Sequence, residues 1–342
     1  MSVEAKNKIY VKSIDALRTF SILAVVLIHT TTRTLEASGY QLNSYLLTLF
    51  LNQFARFAVP LFFLISGFVL ELNYDDKLSY FGYLKKRLNR IFIPYFFWSL
   101  IYYLLVYNHN SDNFIWVLLT GNASYQLYFI PTLLIFYLVF PLLHKFYKYI
   151  ANLPVLILLG GIQMYLMHQD YVVHQFTFVD PIRISILGYF VFILGMVAAR
   201  NKEWILKIAT KFKYVFVIAI FTSLLYVFEE GKNRYFQTYN IEAFYSQWRI
   251  SVLIYTLAIA ARLFYLFEMP KMQFKFVETM SKLSFLVFFI HVIILEFTWN
   301  LFGKFVYSKP GFDVLFFGIV SGVSFGIAYL VHKIPNLNKI TG

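Results

Sequence analysis

Arg18 and His29 lie eleven residues apart within the first long apolar stretch, Ser13-Ile-Asp-Ala-Leu-Arg-Thr-Phe-Ser-Ile-Leu-Ala-Val-Val-Leu-Ile-His-Thr30. Eleven residues at about 100° each complete roughly three helical turns, so both side chains share one face. A rise of about 1.5 Å per residue sets them about 16 Å apart along the helix. Charged groups are costly in hydrocarbon, which makes each a candidate functional residue. An imidazole, which changes charge near neutrality, suits His29 to general-base work. The bland alternative is a core histidine donating to a neighbouring carbonyl. Asp15, three residues before Arg18 on the same face, reads as its local ion-pair partner, with Arg18 snorkelling to water.

Arg56 stands in a second apolar stretch, Asn52-Gln-Phe-Ala-Arg-Phe-Ala-Val-Pro-Leu-Phe-Phe-Leu-Ile-Ser-Gly-Phe68. Pro60 frees a backbone carbonyl and predicts a kink. Ser66-Gly67 permits close approach of a helix or a ligand. Arg56 either bonds the freed carbonyls or faces a polar cavity; it lies too deep to snorkel, which favours the cavity. Further on, Arg87 and Arg90 share a helical face in Tyr83-Leu-Lys-Lys-Arg-Leu-Asn-Arg90. They serve either as charge anchors at a membrane surface or as a clamp whose guanidinium forks match phosphate oxygens. No P-loop and no Gly-x-Gly-x-x-Gly offers another nucleotide site.

Gln126, Tyr128, Arg183, Gln247, Arg249 and Glu296 fall towards the opposite ends of their spans, and His291 sits mid-span. Gln126, Tyr128, Arg183, Arg249, His291, Glu296 and Asp15 are the further candidates for a polar cavity. His144, His168, His174 and His332 lie at span ends or in loops and suggest no role. No histidine and carboxylate pair has metal-ligand spacing, so no metal site is expected.

The elements that position these residues must cross a membrane. The 342 residues are 60% hydrophobic and 14% charged, with 40 Phe and 27 Tyr. Soluble domains carry about a quarter charged residues. Ten spans of roughly 20 residues are predicted, near 13–32, 45–70, 91–107, 127–146, 153–168, 182–199, 213–229, 249–267, 283–301 and 312–332. The expectation is an all-α polytopic membrane protein, one membrane-embedded domain over 1–342 with no separate soluble domain. Of 30 Lys and Arg residues, 21 fall in the segments on one side and five on the other. By the positive-inside rule both termini are cytoplasmic, and the net charge of +13 reflects topology rather than nucleic-acid binding. The first span, with its charges and no small-x-small flank, is expected to remain as a helix rather than act as a cleaved signal. Absence of cysteine removes disulfides, thiolate metal sites and a cysteine nucleophile.

With these residues in place, the chain resembles the acyltransferase-3 family of integral membrane O-acyltransferases. Arg18 and His29 match the family's first-helix pattern of a basic residue, ten residues, then His. Val59 to Gly67 match its Val-Pro-Leu-Phe-Phe-x-x-Ser-Gly run, and Arg87-Leu-Asn-Arg90 its cytoplasmic Arg-x-x-Arg. Leu127-Tyr-Phe-Ile-Pro131 and the approach to His291 are further echoes, so the likeness covers residues 13 to about 332. Tyr128 replaces a common Trp and Gln126 a common His, departures that bear on the acceptor more than on the chemistry. The resemblance implies a bacterial plasma-membrane enzyme with no permanently bound cofactor. Its donor would be cytoplasmic acetyl-CoA or another short acyl-CoA, and its acceptor a hydroxyl of an extracytoplasmic glycan or lipid-linked saccharide. Arg18, Arg87 and Arg90 would hold the CoA phosphates. His29 would act as the base or relay the acyl group, Arg56 would meet the oxyanion, and Ser66 is the one acyl-enzyme residue to test. The alternative is a glycan exporter of the same fold.

Overall fold

A computed structural model describes residues 10–39, 45–106, 113–173, 176–238, 244–269, 275–334 and 337. Four of the basic residues counted above (Lys6, Lys8, Lys271 and Lys339) lie outside the described residues, as does His174. The described chain is helical without a strand. In chain order the helices are α1 (Lys12–Ala37), α2 (Leu46–Phe54), α3 (Ala58–Leu72), α4 (Tyr80–Ile101), α5 (Phe114–Thr120), α6 (Phe129–Lys145), α7 (Tyr147–Ile150), α8 (Leu153–His168), α9 (Asp180–Arg200), α10 (Lys202–Lys211), α11 (Lys213–Thr238), α12 (Ile250–Glu268), α13 (Lys275–Thr298) and α14 (Phe312–His332). One-turn π segments extend α4, α8 and α13.

Eight of these elements are long and apolar enough to cross a membrane, counting Leu46–Leu72 as one. The two remaining expected spans appear as the shorter α6, of 17 residues, and α8, of 16. The expected ten thus exceeds the eight full-length spans. Both shorter stretches were counted on apolar content, which does not report where a helix stops.

α1 is enclosed by α2, α3, α12, α13 and α14. Its Thr30 and Thr31 hydroxyls donate back to the carbonyls of Val26 (3.0 Å) and Leu27 (2.6 Å), which satisfies them without water. The second span is broken rather than kinked: turns at residues 55–57 separate α2 from α3. Pro60 sits in the first turn of α3, where its missing N–H leaves no bond unmade. The break therefore falls just before the proline, and Arg56 occupies it.

α3 and α9 cross closely because two glycines face the opposing backbone. A Cβ built on Gly67 would overlap the Phe192 carbonyl, and one on Gly195 the Leu64 carbonyl. Ser66-Gly67 thus admits a helix, not a ligand, as small residues do where helices pack in lipid.

Polar contacts tie the helices together at both ends. At the end rich in basic residues, Glu71 of α3 accepts from Arg200 of α9 (2.5 Å) and meets His144 of α6 (3.0 Å). There too, Glu268 of α12 accepts from the Ser13 backbone N–H (2.9 Å), and Asp15 accepts from Ser281 of α13 (2.7 Å). At the far end, Thr48 of α2 donates to Asp313 of α14 (2.5 Å), and Arg33 of α1 pairs with Glu296 of α13 (3.6 Å).

Candidate active site

Two constellations form on α1, one near each end. The first surrounds Arg18, which is half-buried and makes no hydrogen bond or ion pair among the described residues. Asp15, its expected partner, is taken instead by Tyr10 (2.6 Å) and Ser281. The local ion pair is thus replaced by a contact that fixes α1 to α13. Arg18, Arg87 and Arg90 all lie in electrostatic range of the buried Tyr137, and Arg90 also acts on Arg18. Arg87 lies over the Tyr83 ring at 5.8 Å, and its buried Nε has no partner. No carboxylate pairs with any of the three among the described residues. Asp15 acts on Arg18 at longer range, and a polyanion amid the three guanidiniums would relieve the repulsion that remains among them.

The second constellation is a small cleft lined by His29, Val25 and Ile28 of α1, Val59 and Phe62 of α3, Gln126, Tyr128 and Phe129, Gln247, and Phe288 of α13. His29 is partly exposed to it and makes no hydrogen bond among the described residues. Tyr125 lies against His29 with ring centroids 4.7 Å apart, and His291 at 5.3 Å. His291 Nδ1 is 3.0 Å from the Val287 carbonyl. A carbonyl only accepts, so Nδ1 carries the proton, and the buried Nε2 is a lone pair without a partner. Tyr125, Gln126 and Tyr128 arrive on a compact segment that Gly121 makes possible. Gly121 has φ +78°, and a Cβ there would overlap the Tyr128 backbone. Tyr128 accepts a hydrogen bond from Gln247 Nε2 at 2.8 Å, which joins this segment to the approach to α12.

Arg56 stands behind the cleft, within electrostatic range of His29 but not in the cleft lining. One of its Nη atoms donates to the Tyr245 carbonyl (2.6 Å) and the other to Asn52 Oδ1. Asn52 in turn donates to Thr31 Oγ1 at 2.9 Å and to the Ile28 carbonyl at 3.3 Å. Arg56 therefore braces the α2–α3 break against the turn of α1 that carries His29. Its Nε is buried without a partner, and Arg56 itself is not in the cleft lining.

The other expected cavity residues divide. Gln126 and Tyr128 line the cleft and His291 packs on His29, whereas four others are committed elsewhere. Asp15 lies at the basic end. Arg183 forks onto Asp170 (2.7 and 3.1 Å) and also reaches Asp180. Fully buried Arg249 donates to Gln53 (2.5 Å) and to the Val227 and Ser246 carbonyls. Glu296 pairs with Arg33. Ser66 donates to the Phe62 carbonyl at 2.8 Å and is not in the lining, which leaves it poorly placed as a nucleophile. No group of three or more metal-ligating side chains occurs among the described residues.

Sequence reasoning missed Asn52, Gln53 and Tyr125. Asn52 and Gln53 precede Arg56 by four and three residues, so a shared helical face in an apolar span was an available signal. Tyr125 had no signal apart from its neighbour Gln126.

An all-α, multi-pass membrane protein with a cluster of arginines outside any ion pair among the described residues at one end and a histidine cleft towards the other defines the class. The chain belongs to the acyltransferase-3 family, whose family model, described as an acyltransferase domain, matches residues 11–333. Similar proteins include a "Probable poly-beta-1,6-N-acetyl-D-glucosamine export protein" of Staphylococcus aureus strain MSSA476. It is 23% identical over 295 residues, covering 82% of this chain and 81% of the relative. A protein of the same description from Staphylococcus epidermidis is 25% identical over 310 residues, covering 85% and 82%. No solved structure matches.

Proposed function

We propose that this protein is a bacterial plasma-membrane O-acyltransferase. It moves an acetyl or other short acyl group from cytoplasmic acyl-CoA to a hydroxyl of an extracytoplasmic glycan or its lipid-linked precursor. The observation that carries this reading is the pairing on one helix of Arg18, in a cluster of arginines that make no ion pair among the described residues, and His29, in a cleft with no hydrogen-bond partner among them. CoA phosphates are the polyanion that suits the arginines. The pantetheine arm carries the thioester inward, towards His29.

In the cleft, the acceptor oxygen attacks the thioester carbonyl carbon while His29 takes its proton. The C–O bond forms and the carbonyl π electrons move to oxygen. Collapse of the tetrahedral species re-forms the C=O bond and breaks the C–S bond. The CoA sulfur leaves as the thiol by recovering the proton from His29, and no acyl-enzyme is needed.

The experiment is CoA release from acetyl-CoA by purified protein in lipid vesicles, read with a thiol reagent. The chain has no cysteine, so the protein itself gives no background. Turnover with acyl transfer to glycan supports the enzyme. The second reading, glycan export without acyl transfer, is favoured by the naming of the staphylococcal relatives as probable export proteins. Movement of β-1,6-linked N-acetylglucosamine oligomer across vesicles, with no CoA release from any short acyl-CoA, would replace the first reading with the second.

A further inference from the structure

Gln126 is 3% exposed, lines the His29 cleft, and has an amide nitrogen with no hydrogen-bond partner among the described residues. An unpaired buried amide N–H costs about 1–3 kcal/mol, and so calls for an explanation. Its oxygen is already taken: Ser124 Oγ donates to Gln126 Oε1 at 2.5 Å. In this arrangement the amide oxygen faces Ser124 and the NH2 group is unmatched. Tyr128 and Gln247, the other amide and hydroxyl groups of the lining, bond to one another.

We infer that Gln126 Nε2 is the oxyanion donor of the acyl transfer, with Ser124 as its positioning residue. The inference rests on the acyl-transfer reading and deepens it. When the acceptor oxygen adds to the thioester carbon, the carbonyl oxygen gains the charge and lies in a low-dielectric cleft. A pre-aligned N–H there is worth far more than the same donor in water. Arg56 also has a buried Nε without a partner, but it is not in the cleft lining and its Nη atoms hold Asn52 and the Tyr245 carbonyl. Gln126 presents its donor from the lining itself. An uncharged donor also leaves His29 to handle the proton: the amide stabilises charge on oxygen while the imidazole carries hydrogen from acceptor to leaving sulfur.

The test compares Gln126→Ala, Gln126→Glu and Ser124→Ala with the wild type in vesicles, using acetyl-CoA as the probe and CoA release as the readout. Loss of one oxyanion donor lowers kcat by about 10²–10³. Gln126→Ala is expected to fall by about 100-fold in both kcat and kcat/KM, with KM for acetyl-CoA unchanged, the pattern of an interaction made only in the transition state. Gln126→Glu, which keeps the shape and places an anion against the developing oxyanion, is expected to fall at least as far. Ser124→Ala is expected to fall less. Thermal unfolding of the variants should match the wild type, and a variant that does not fold is set aside in favour of the isosteric Gln126→Glu. If the wild type turns over and Gln126→Glu keeps its kcat within twofold, the inference is overturned and the acyl-transfer reading stands. If the wild type releases no CoA from any short acyl-CoA, the reading fails and the inference falls with it.

Discussion

The ring of His291 lies 5.3 Å from that of His29, centroid to centroid, although one stands on α13 and the other on α1. The Val287 carbonyl takes the proton-bearing Nδ1 of His291 and leaves Nε2 as a buried acceptor beside the candidate base. The second histidine thus fixes the wall against which His29 works. Replacing His291 with Phe keeps an aromatic ring and removes the acceptor. The expected outcome is a fall in kcat of about tenfold or more, on the way to the 10²–10⁴ scale of acid–base effects. KM for acetyl-CoA should stay constant. Steady-state CoA release measures both, and an unchanged kcat would reduce His291 to packing.

Arg18, Arg87 and Arg90 share the surroundings of Tyr137, and none of them is in an ion pair among the described residues. Converting Arg87 and Arg90 together to Gln is expected to weaken acetyl-CoA binding at least tenfold, a loss of about 1.4 kcal/mol or more. Folding should be spared, because neither residue makes an ion pair that the bundle needs. Titration of the purified protein with acetyl-CoA measures the change. Unchanged affinity would return the pair to the role of membrane-surface anchors.

Asn52 joins Arg56 to α1 through the Thr31 hydroxyl and the Ile28 carbonyl. Asn52→Leu leaves a guanidinium N–H unmatched in a buried place, while the Thr31 hydroxyl keeps its bond to the Leu27 carbonyl. The expected cost is about 1–3 kcal/mol for each buried group left without a partner. Thermal unfolding in detergent should show a lower midpoint, together with reduced turnover as the His29 turn loosens. A variant as stable and active as the wild type would separate the break from the site.

The α3–α9 crossing has its own test. Gly67→Ala pushes a methyl group into the backbone carbonyl of Phe192, which no side-chain rotation relieves. Overpacking of this kind costs about 1–3 kcal/mol, or more where backbone must move. Gly161, where an added Cβ meets nothing within 4 Å, is the control and should tolerate Ala. Equal midpoints for the two variants would contradict the close crossing.

The membrane class and the shared face of Arg18 and His29 were legible in the sequence because each is a local pattern, apolar length or helical period. The broken second span was half-legible. Pro60 signalled an interruption, but only the structure places it at residues 55–57, with Arg56 inside it. Partners far apart in sequence were not legible. Gln53 holds Arg249 across 196 positions, and His144, which suggested no role, joins Glu71 from 73 positions away. Asp15 shows the converse. Arg18, three residues on, was its expected partner, yet Tyr10 and Ser281 claim it, since packing of α1 on α13 brings a hydroxyl closer than the helix brings its own guanidinium. Of the two expected spans outside the eight, α6 has only 17 residues, and α8 reaches membrane length only through a π segment that carries Gln169 and Asp170.

The base assignment is tested most directly by His29→Ala in lipid vesicles, with CoA release from acetyl-CoA read beside acetyl-CoA affinity. A loss of kcat by about 10²–10⁴ is expected, with donor affinity and unfolding midpoint near wild type. Turnover near the wild-type rate in a folded His29→Ala protein would contradict the role of His29 and the transfer path drawn from Arg18 to its cleft.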